Sequence, residues 1–269
     1  MERATEPIAD LIRAQLRRLR TAAGLNQEEF GKQVHYSGSM ISAVELGQRP
    51  LDRAFLTRAD EVLDSGGLLI ALLRMMERER QPSWFRPWLD AERTARQLRC
   101  FHPTLIPALL QTEIYARAVI RYDGLLSDEE VEKRVAARMD RQAVLAQPDP
   151  PQLIAVVDEA LLHREDESFR GLMTRQVEHL VAMAERPTIS IHVVPLGVGL
   201  YSGMSGPFTL VHSTDGGWVA SLENQLSGTV VDGEPAVATL LARWETVRNE
   251  ALPRRQSLEL LKEVVTSWT

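Results

Sequence analysis

The sequence LNQEEFGKQVHYSGSMISAVELGQRP, residues 25–50, contains two short helical patterns separated by only two or three residues. Asn26 is a favourable N-cap residue and Glu29, three residues later, completes a capping box, so the first helix begins here and runs to about Val34. Two short helices joined this closely are typical of a helix-turn-helix, whose second helix lies in the DNA major groove.

The second helix of this pair begins at an N-cap that either Ser37 or Ser39 supplies. It stops at Leu46, because Gly47 follows and Pro50 prevents an immediate continuation. Its outer side carries small or uncharged residues, and we expect that side to press against another molecule. These residues are Gly38, Ser39, Met40, Ser42 and Ala43.

The inner sides of the two helices carry apolar residues at helical spacing. Phe30, Val34, Ile41 and Val44 can meet in a small core. Gly31 stands where the helices must approach closely and a large side chain would clash.

Further helical patterns on both sides complete a small all-α domain. Before the pair, apolar residues predict a helix that ends near Ala23, with Gly24 as its C-terminal cap. After the pair, two short helices are predicted at 54–63 and 68–76. Residues 1–80 are therefore predicted to form a five-helix helix-turn-helix domain.

The segment 25–50 resembles the Xre-type, lambda-repressor-like helix-turn-helix, which reads roughly Leu-Thr-Gln-Glu-Glu-Leu-Ala, a Gly turn, then Ser-x-x-x-Ile-Ser-x-x-Glu-x-Gly-x-Arg. The positions that match are Leu25, Gln27, Glu28, Glu29, Ile41, Ser42, Glu45, Gly47 and Arg49. The resemblance implies that Gln27 contacts phosphate and supports a base contact, and that Arg49 anchors to the DNA backbone. It also implies a groove-facing stretch made of Ser37, Gly38, Ser39, Met40, Ser42 and Ala43.

Two departures from this pattern leave alternatives open. His35 stands where the family usually has Gly, and it is strained if that position has a positive φ. The outer positions, often Arg or Lys in the family, cannot make the bidentate Arg–guanine contact here. Residues 1–80 hold twelve Lys and Arg against twelve Asp and Glu. The alternatives are weak or partner-dependent DNA binding, an adaptor or antitoxin acting mainly by protein–protein contact, and a helical bundle that only mimics the motif.

The composition shifts after Arg80. Pro82 and Pro87 predict a short linker, and Pro103 and Pro107 interrupt the helical pattern that follows. Further on, helices are predicted at 111–121, 127–147, 169–186, 234–252 and 253–268, and strands at 153–157, 188–196, 206–213 and 218–224, the last two antiparallel. The predicted fold class is α+β, in which residues 81–269 form a mixed domain with a small, largely antiparallel sheet.

The segments RCFHPTLIPALLQTEIYARAVIR, residues 99–121, and ISIHVVPLGVGLYSGMSGPFTLV, residues 189–211, carry a second resemblance. They are similar to the C-terminal domain of unknown function in an actinobacterial group of antitoxin-like regulators, where it follows an Xre-type helix-turn-helix. The similarity covers residues 84 to 265. It implies a transcriptional regulator that is often encoded beside a small partner protein.

No catalytic or metal-binding pattern stands out. The glycine-rich segment 197–206 lacks the spacing of a dinucleotide or P-loop motif, so we interpret it as a hairpin-like connection. Asp158 and Glu159 end a strand and are interpreted as capping residues rather than an acid–base pair. The six histidines include no pair at ligand spacing beside a carboxylate or thiol. We expect no enzymatic activity, no cofactor and no metal.

Two groups of residues are candidates for a partner surface. Trp84, Phe85 and Trp88 lie between the predicted domains, where they either pack the domains together or meet an external partner. Tyr201 and Met204, in the glycine-rich segment, can contact a partner or effector.

The bulk properties agree with a two-domain cytoplasmic protein. A length of 269 residues allows two cores, and a net charge of −6 is compatible with a local DNA contact face but not with a wholly nucleic-acid-coated surface. The single cysteine, Cys100, excludes an internal disulfide. No signal peptide or membrane span is found. We expect a sequence-specific regulator that binds double-stranded DNA as a homodimer, because one short reading helix makes too few contacts.

Overall fold

The computed structural model describes residues 6–80, 85–122, 124–164, 170–214, 216–223 and 228–268. The chain divides into two compact units, residues 1–86 and residues 87–269.

Within residues 6–80 the chain forms five helices. They are α1 Glu6–Ala22, α2 Gln27–Val34, α3 Gly38–Glu45, α4 Arg53–Val62 and α5 Leu68–Arg80. Gly24 has a φ of 71°, the left-handed conformation expected of a C-terminal cap.

The core of this first unit holds α2 and α3 at their crossing. Phe30, Val34, Ile41 and Val44, predicted to face inward, are all buried. They pack with buried side chains of α1, α4 and α5, which are Ile12, Leu16, Phe55, Leu56, Ala59, Leu69, Leu73 and Met76. Full burial of one such large apolar side chain contributes about 1.5–3 kcal/mol, so this cluster is the main support of the helix pair.

The described part of the second unit is a six-stranded sheet with helices packed around it. The strands are β1 Ala95–His102, β2 Gln152–Asp158, β3 Ile189–Val194, β4 Phe208–Ser213, β5 Trp218–Glu223 and β6 Gly228–Val231. The helices are α6 Arg86–Arg93, α7 Glu113–Arg121, α8 Asp128–Arg141, α9 Glu159–Leu162, α10 Arg170–Ala184, α11 Glu234–Glu250 and α12 Arg254–Trp268.

The strand order is β3-β2-β1-β4-β5-β6. β1, β2 and β3 are parallel, with Cys100 opposite Ala155 and Ala155 opposite Ile191. β4, β5 and β6 continue the sheet in antiparallel pairs. The α+β class and the antiparallel pairing of β4 with β5 are confirmed. The parallel half exists because helices connect β1 to β2 and β2 to β3, which gives the chain the length that a crossover needs.

Four details of the sequence-based prediction are wrong. Residues 95–102 form β1 instead of continuing a helical pattern, and the short edge strand β6 was not predicted. Pro87 lies in the first turn of α6 rather than in a linker, a place where its missing N–H costs nothing; Pro82 lies outside the described residues. The glycine-rich segment is not a hairpin, because β2 and β1 separate β3 from β4.

Both the sheet face under α11 and the β3 edge are covered. The Phe208 ring lies 5.7 Å from that of Phe101 and 6.5 Å from that of Trp244 on α11, measured between centroids. At the β3 edge, the Val193 carbonyl accepts the Leu252 N–H at 2.8 Å, and the Val193 N–H donates to the hydroxyl of Ser257 at 3.0 Å. Leu252, before α12, and Ser257, within α12, thus satisfy edge groups of Val193 that would otherwise attract another strand.

Two glutamine side chains organise the segment 106–112, which precedes α7. The Gln111 amide donates to the Ile106 carbonyl at 2.7 Å. Gln176, on α10, donates to the Leu110 carbonyl at 2.8 Å and accepts the Thr112 N–H at 2.7 Å. Thr112 in turn caps α7. Buried backbone groups of a non-helical segment need such partners, because leaving them unpaired costs free energy.

Candidate nucleic-acid interface

The turn between α2 and α3 is tight and left-handed. His35 has φ 62° and ψ 39°, and its N–H donates to the Gly31 carbonyl. The Tyr36 N–H donates to the same carbonyl at 2.8 Å. A Cβ on Gly31 would lie 2.6 Å from the Tyr36 carbonyl oxygen, so only glycine fits at this crossing.

Both helices begin at side-chain caps. Asn26 accepts the N–H groups of Glu28 and Glu29 at 3.0 and 2.8 Å, and the Glu29 carboxylate accepts the Asn26 N–H at 2.9 Å, which confirms the capping box. Ser37, rather than Ser39, caps α3, since its hydroxyl accepts the Met40 N–H at 3.2 Å.

A buried ionic network joins α1, α2 and α3 beneath the outer side of α3. The Glu45 carboxylate accepts hydrogen bonds from Arg20 at 2.7 and 3.1 Å and from the Gln27 amide at 2.9 Å. Arg17 donates to the Glu45 backbone carbonyl at 2.9 Å. Burial alone would raise the pKa of Glu45, but the hydrogen bonds from Arg20 and Gln27 and the charges of Arg20 and Arg17 outweigh it. The pKa therefore lies below its ordinary value and the carboxylate is charged at neutral pH.

The predicted groove-facing residues do not all occupy the same side of α3. Ser37 and Ser39 are exposed, and Met40, Ser42 and Ala43 are half-buried. Gly38 turns toward α2, because a Cβ there would lie 3.2 Å from the Cα of Glu28. Leu46, at the C-cap of α3, is also exposed, at 62%. The sequence analysis treated Leu46 only as the end of the helix and did not single it out as an exposed side chain.

The two remaining predicted DNA contacts lie at either end of the motif. Gln27 is half-buried, and its amide is turned inward to Glu45 rather than standing free. Arg49 is exposed just beyond α3, where its N–H donates to the Ala43 carbonyl at 3.2 Å.

Charges around α2 are mixed in sign. Glu28 and Glu29 lie in its first turn, and exposed Lys32 pairs with Glu28 at 3.3 Å. Arg58 lies over the Tyr36 ring, 5.9 Å from its centroid. This surface therefore offers only a few cations to a phosphate backbone.

The predicted partner residues are placed differently from one another. Trp84 lies outside the described residues. Phe85 is half-buried, and Trp88 is buried, with its indole N–H donating to Glu92 at 3.1 Å. Burial of Trp88 removes it from the accessible surface. Met204 is 64% exposed.

The glycine-rich segment is latched to the end of β2. Asp158 accepts the Tyr201 hydroxyl at 2.8 Å, and Glu159 accepts the Leu196 N–H at 2.9 Å. Tyr201 is thus half-buried and turned inward, where it packs with Phe101 over Gly203. Asp158 also caps α9 through the Ala160 N–H, which confirms its predicted capping role.

The same segment also exposes apolar side chains that the sequence analysis did not single out. Leu200 is 95% exposed and Leu196 is 60% exposed. In the described part of the chain, no group of three His, Cys, Asp or Glu residues could hold a metal ion. Over the same residues, no helix is both long and apolar enough to cross a bilayer.

The fold and this site define a chain with a helix-turn-helix unit followed by a mixed α+β unit. Residues 11–73 match the family model of a helix-turn-helix domain, a class typical of DNA-binding regulators. Residues 85–263, more than half of the chain, match the domain of unknown function DUF5753, and the protein belongs to that family. No curated protein and no solved structure matches the chain.

Proposed function

We propose that this protein is a sequence-specific transcriptional regulator that inserts α3 into the major groove of double-stranded DNA in the cytoplasm and performs no catalysis. The observation that supports this most directly is the two-sided character of α3. Its inner side is fixed by Ile41, Val44 and the Glu45 network, while its outer side carries no charged side chain and includes exposed Ser39. A rigid helix with a small-residue outer side fits closely against base edges.

The test is a titration of the full-length protein against a labelled duplex from its own upstream region. We expect the logarithm of the affinity to fall linearly with the logarithm of salt concentration. Each neutralised phosphate contributes a slope of about 0.9, so the few exposed cations, such as Lys32 and Arg49, predict a shallow slope. Affinity no better than for random duplex would favour the adaptor that works by protein–protein contact.

Ser39→Glu tests the placement of α3. Ser39 is exposed in the first turn of α3, where a negative charge suits the helix dipole and so does not unfold the protein. Against phosphate the same charge is repelled, and we expect binding to be abolished. The matched control is Ala236→Glu, which puts a carboxylate at an exposed position in the first turn of α11 and leaves binding unchanged. Binding by Ser39→Glu at the level of the control would show that α3 does not lie in the groove.

We propose that the protein acts as a homodimer, because paired half-sites multiply the contacts of one short helix. Footprinting tests this directly. Two protected half-sites about 34 Å, or one helical turn, apart are expected. A single protected site would contradict the dimer.

We also propose that the second unit binds a small partner protein encoded nearby. Leu196, Leu200 and Met204 support this role, since they are exposed on a stretch, 187–214, that contains no charged residue. Co-expression with the product of the adjacent reading frame is expected to yield a complex that Leu200→Asp dissolves. Leu125→Asp, at another leucine that is mostly exposed, serves as the control.

A further inference from the structure

Leu46 is the most exposed large apolar side chain of the helix-turn-helix motif. It lies at the C-cap of α3, is 62% exposed and is not part of the core cluster of the first unit. One exposed leucine is common on protein surfaces, so its meaning depends on its neighbours.

Its neighbours form a continuous outer stripe. Each helical residue turns about 100°, so Ser39, Ala43 and Leu46 lie opposite buried Ile41 and flank one another at spacings of four and three. The stripe is about 10 Å long, which matches about three base pairs of B-DNA.

This stripe lacks the side chains that make bidentate or carboxylate contacts to bases. Bidentate readout uses Arg or Lys for guanine and Asn or Gln for adenine, while Asp or Glu accepts from cytosine. Residues 34–47 contain none of these except Glu45, which is buried and engaged by Arg20 and Gln27. The hydroxyls of Ser37 and Ser39 lie 2.9 Å apart and form one hydrogen bond with each other. Ala43 and Leu46 of the stripe therefore present apolar carbon atoms to the DNA.

The major groove contains one apolar group, the 5-methyl of thymine. We propose that α3 selects its sites by apolar contact with thymine methyl groups, and that Ala43 and Leu46 are the residues that determine this specificity. The proposal rests on the proposed function and names the part of the DNA that α3 reads.

The experiment begins with selection of tight-binding duplexes from a random library by the full-length protein. In the best duplex, each thymine is then replaced by deoxyuridine, which lacks only the methyl group. We expect about a fourfold loss of affinity for each contacted methyl and at least about tenfold over both half-sites. In a further duplex, cytosine takes the place of a contacted thymine, which also removes the methyl group. Changing that cytosine to 5-methylcytosine returns a methyl group to the groove and is expected to recover part of the lost affinity.

A variant cycle assigns the contact to Leu46. Leu46→Ala is at an exposed site and leaves the fold intact. We expect that, at one position of each half-site, replacing thymine by deoxyuridine no longer changes the affinity of this variant. Leu11→Ala, at a leucine of α1 that is 44% exposed, is the control and keeps the full thymine preference.

The outcomes separate this proposal from the one on which it depends. If no duplex is enriched and binding shows no dependence on salt, the DNA-binding function itself fails. If an enriched duplex binds equally well with deoxyuridine, DNA binding stands and the methyl readout is overturned. An equal loss with deoxyuridine in the wild type and in Leu46→Ala would overturn it too, because the methyl would then act through DNA shape.

Discussion

Glu45→Gln is expected to loosen the helix-turn-helix selectively. Gln has the shape of Glu, but only one of its two terminal atoms accepts hydrogen bonds. The Glu45 side chain is 2% exposed and accepts three hydrogen bonds from Arg20 and Gln27. In the variant the new amide N–H groups would point at donors, and the Arg20 charge would lose its counter-ion.

The size of the effect follows from the burial of this pair. Removing one partner of a buried ion pair costs about 3–5 kcal/mol. The lower end applies, because Arg20 keeps its hydrogen bond to the Leu25 carbonyl at 2.8 Å. A loss of about 3 kcal/mol lowers hydrogen-exchange protection of α2 and α3 about a hundredfold.

Hydrogen exchange of the full-length protein, read by mass spectrometry, measures this locally. The amides of Ile41 and Leu46, which donate to carbonyls in the turn before them, report on α3. Peptides from β2 serve as the internal reference and should not change. Glu28→Gln, which removes only the exposed pair with Lys32, is the matched control and should alter protection by less than about 0.5 kcal/mol. Equal protection in the two variants would refute the reasoning.

Three further outcomes are expected. His35→Gly should stabilise the first unit by about 0.5–1 kcal/mol, because His35 has a φ of 62°. Gln33→Gly, inside α2, is the control and should destabilise the unit by about 1 kcal/mol. Similar shifts in melting temperature for the two variants would contradict this. Gly203→Ala should cost about 1–3 kcal/mol and raise exchange in the glycine-rich segment, because its Cβ would overlap two aromatic rings, while Gly197→Ala, in open space, should not. Acid should destabilise the second unit, because burial lowers the pKa of several of its histidines. Below about pH 6.5 the unfolded chain therefore binds protons that the folded chain does not. Thermal melts from pH 7 to 5 measure this, and an unchanged melting temperature of the second unit would contradict it. These histidines are His102, whose pKa falls to about 4, His179 and His192.

In the first unit, acid should also lower stability, but through the Glu45 carboxylate, which is held charged in the folded state, rather than through histidines that are held neutral. Its pKa in the folded state is depressed, so its stabilisation is complete above its ordinary pKa of 4.5 and is lost as the pH falls further. Glu45→Gln should remove this part of the acid transition.

Features that depend on a few neighbouring residues could be predicted from the sequence. The cap at Asn26, the restriction of the α3 cap to Ser37 or Ser39, the close approach at Gly31 and the inward residues of α2 and α3 are set by local hydrogen bonding and helical spacing. The antiparallel pair β4–β5 also belongs here, because its turn is short and its strands are adjacent along the chain.

Features that depend on distant pairing could not be predicted in the same way. β1 was not recognised as a strand because its apolar residues do not alternate along the sequence ARQLRCFH, and its identity comes from pairing with β2 and β4. The inward turn of Gln27 requires Glu45, eighteen residues further on, and the burial of Trp88 and the latch of Tyr201 on Asp158 likewise join separate elements. By itself the sequence determined which residues form the helix pair, since a capped, periodic segment specifies its own backbone. The tertiary structure alone decided which of their side chains remain free for a ligand, because exposure depends on contacts between residues far apart along the chain.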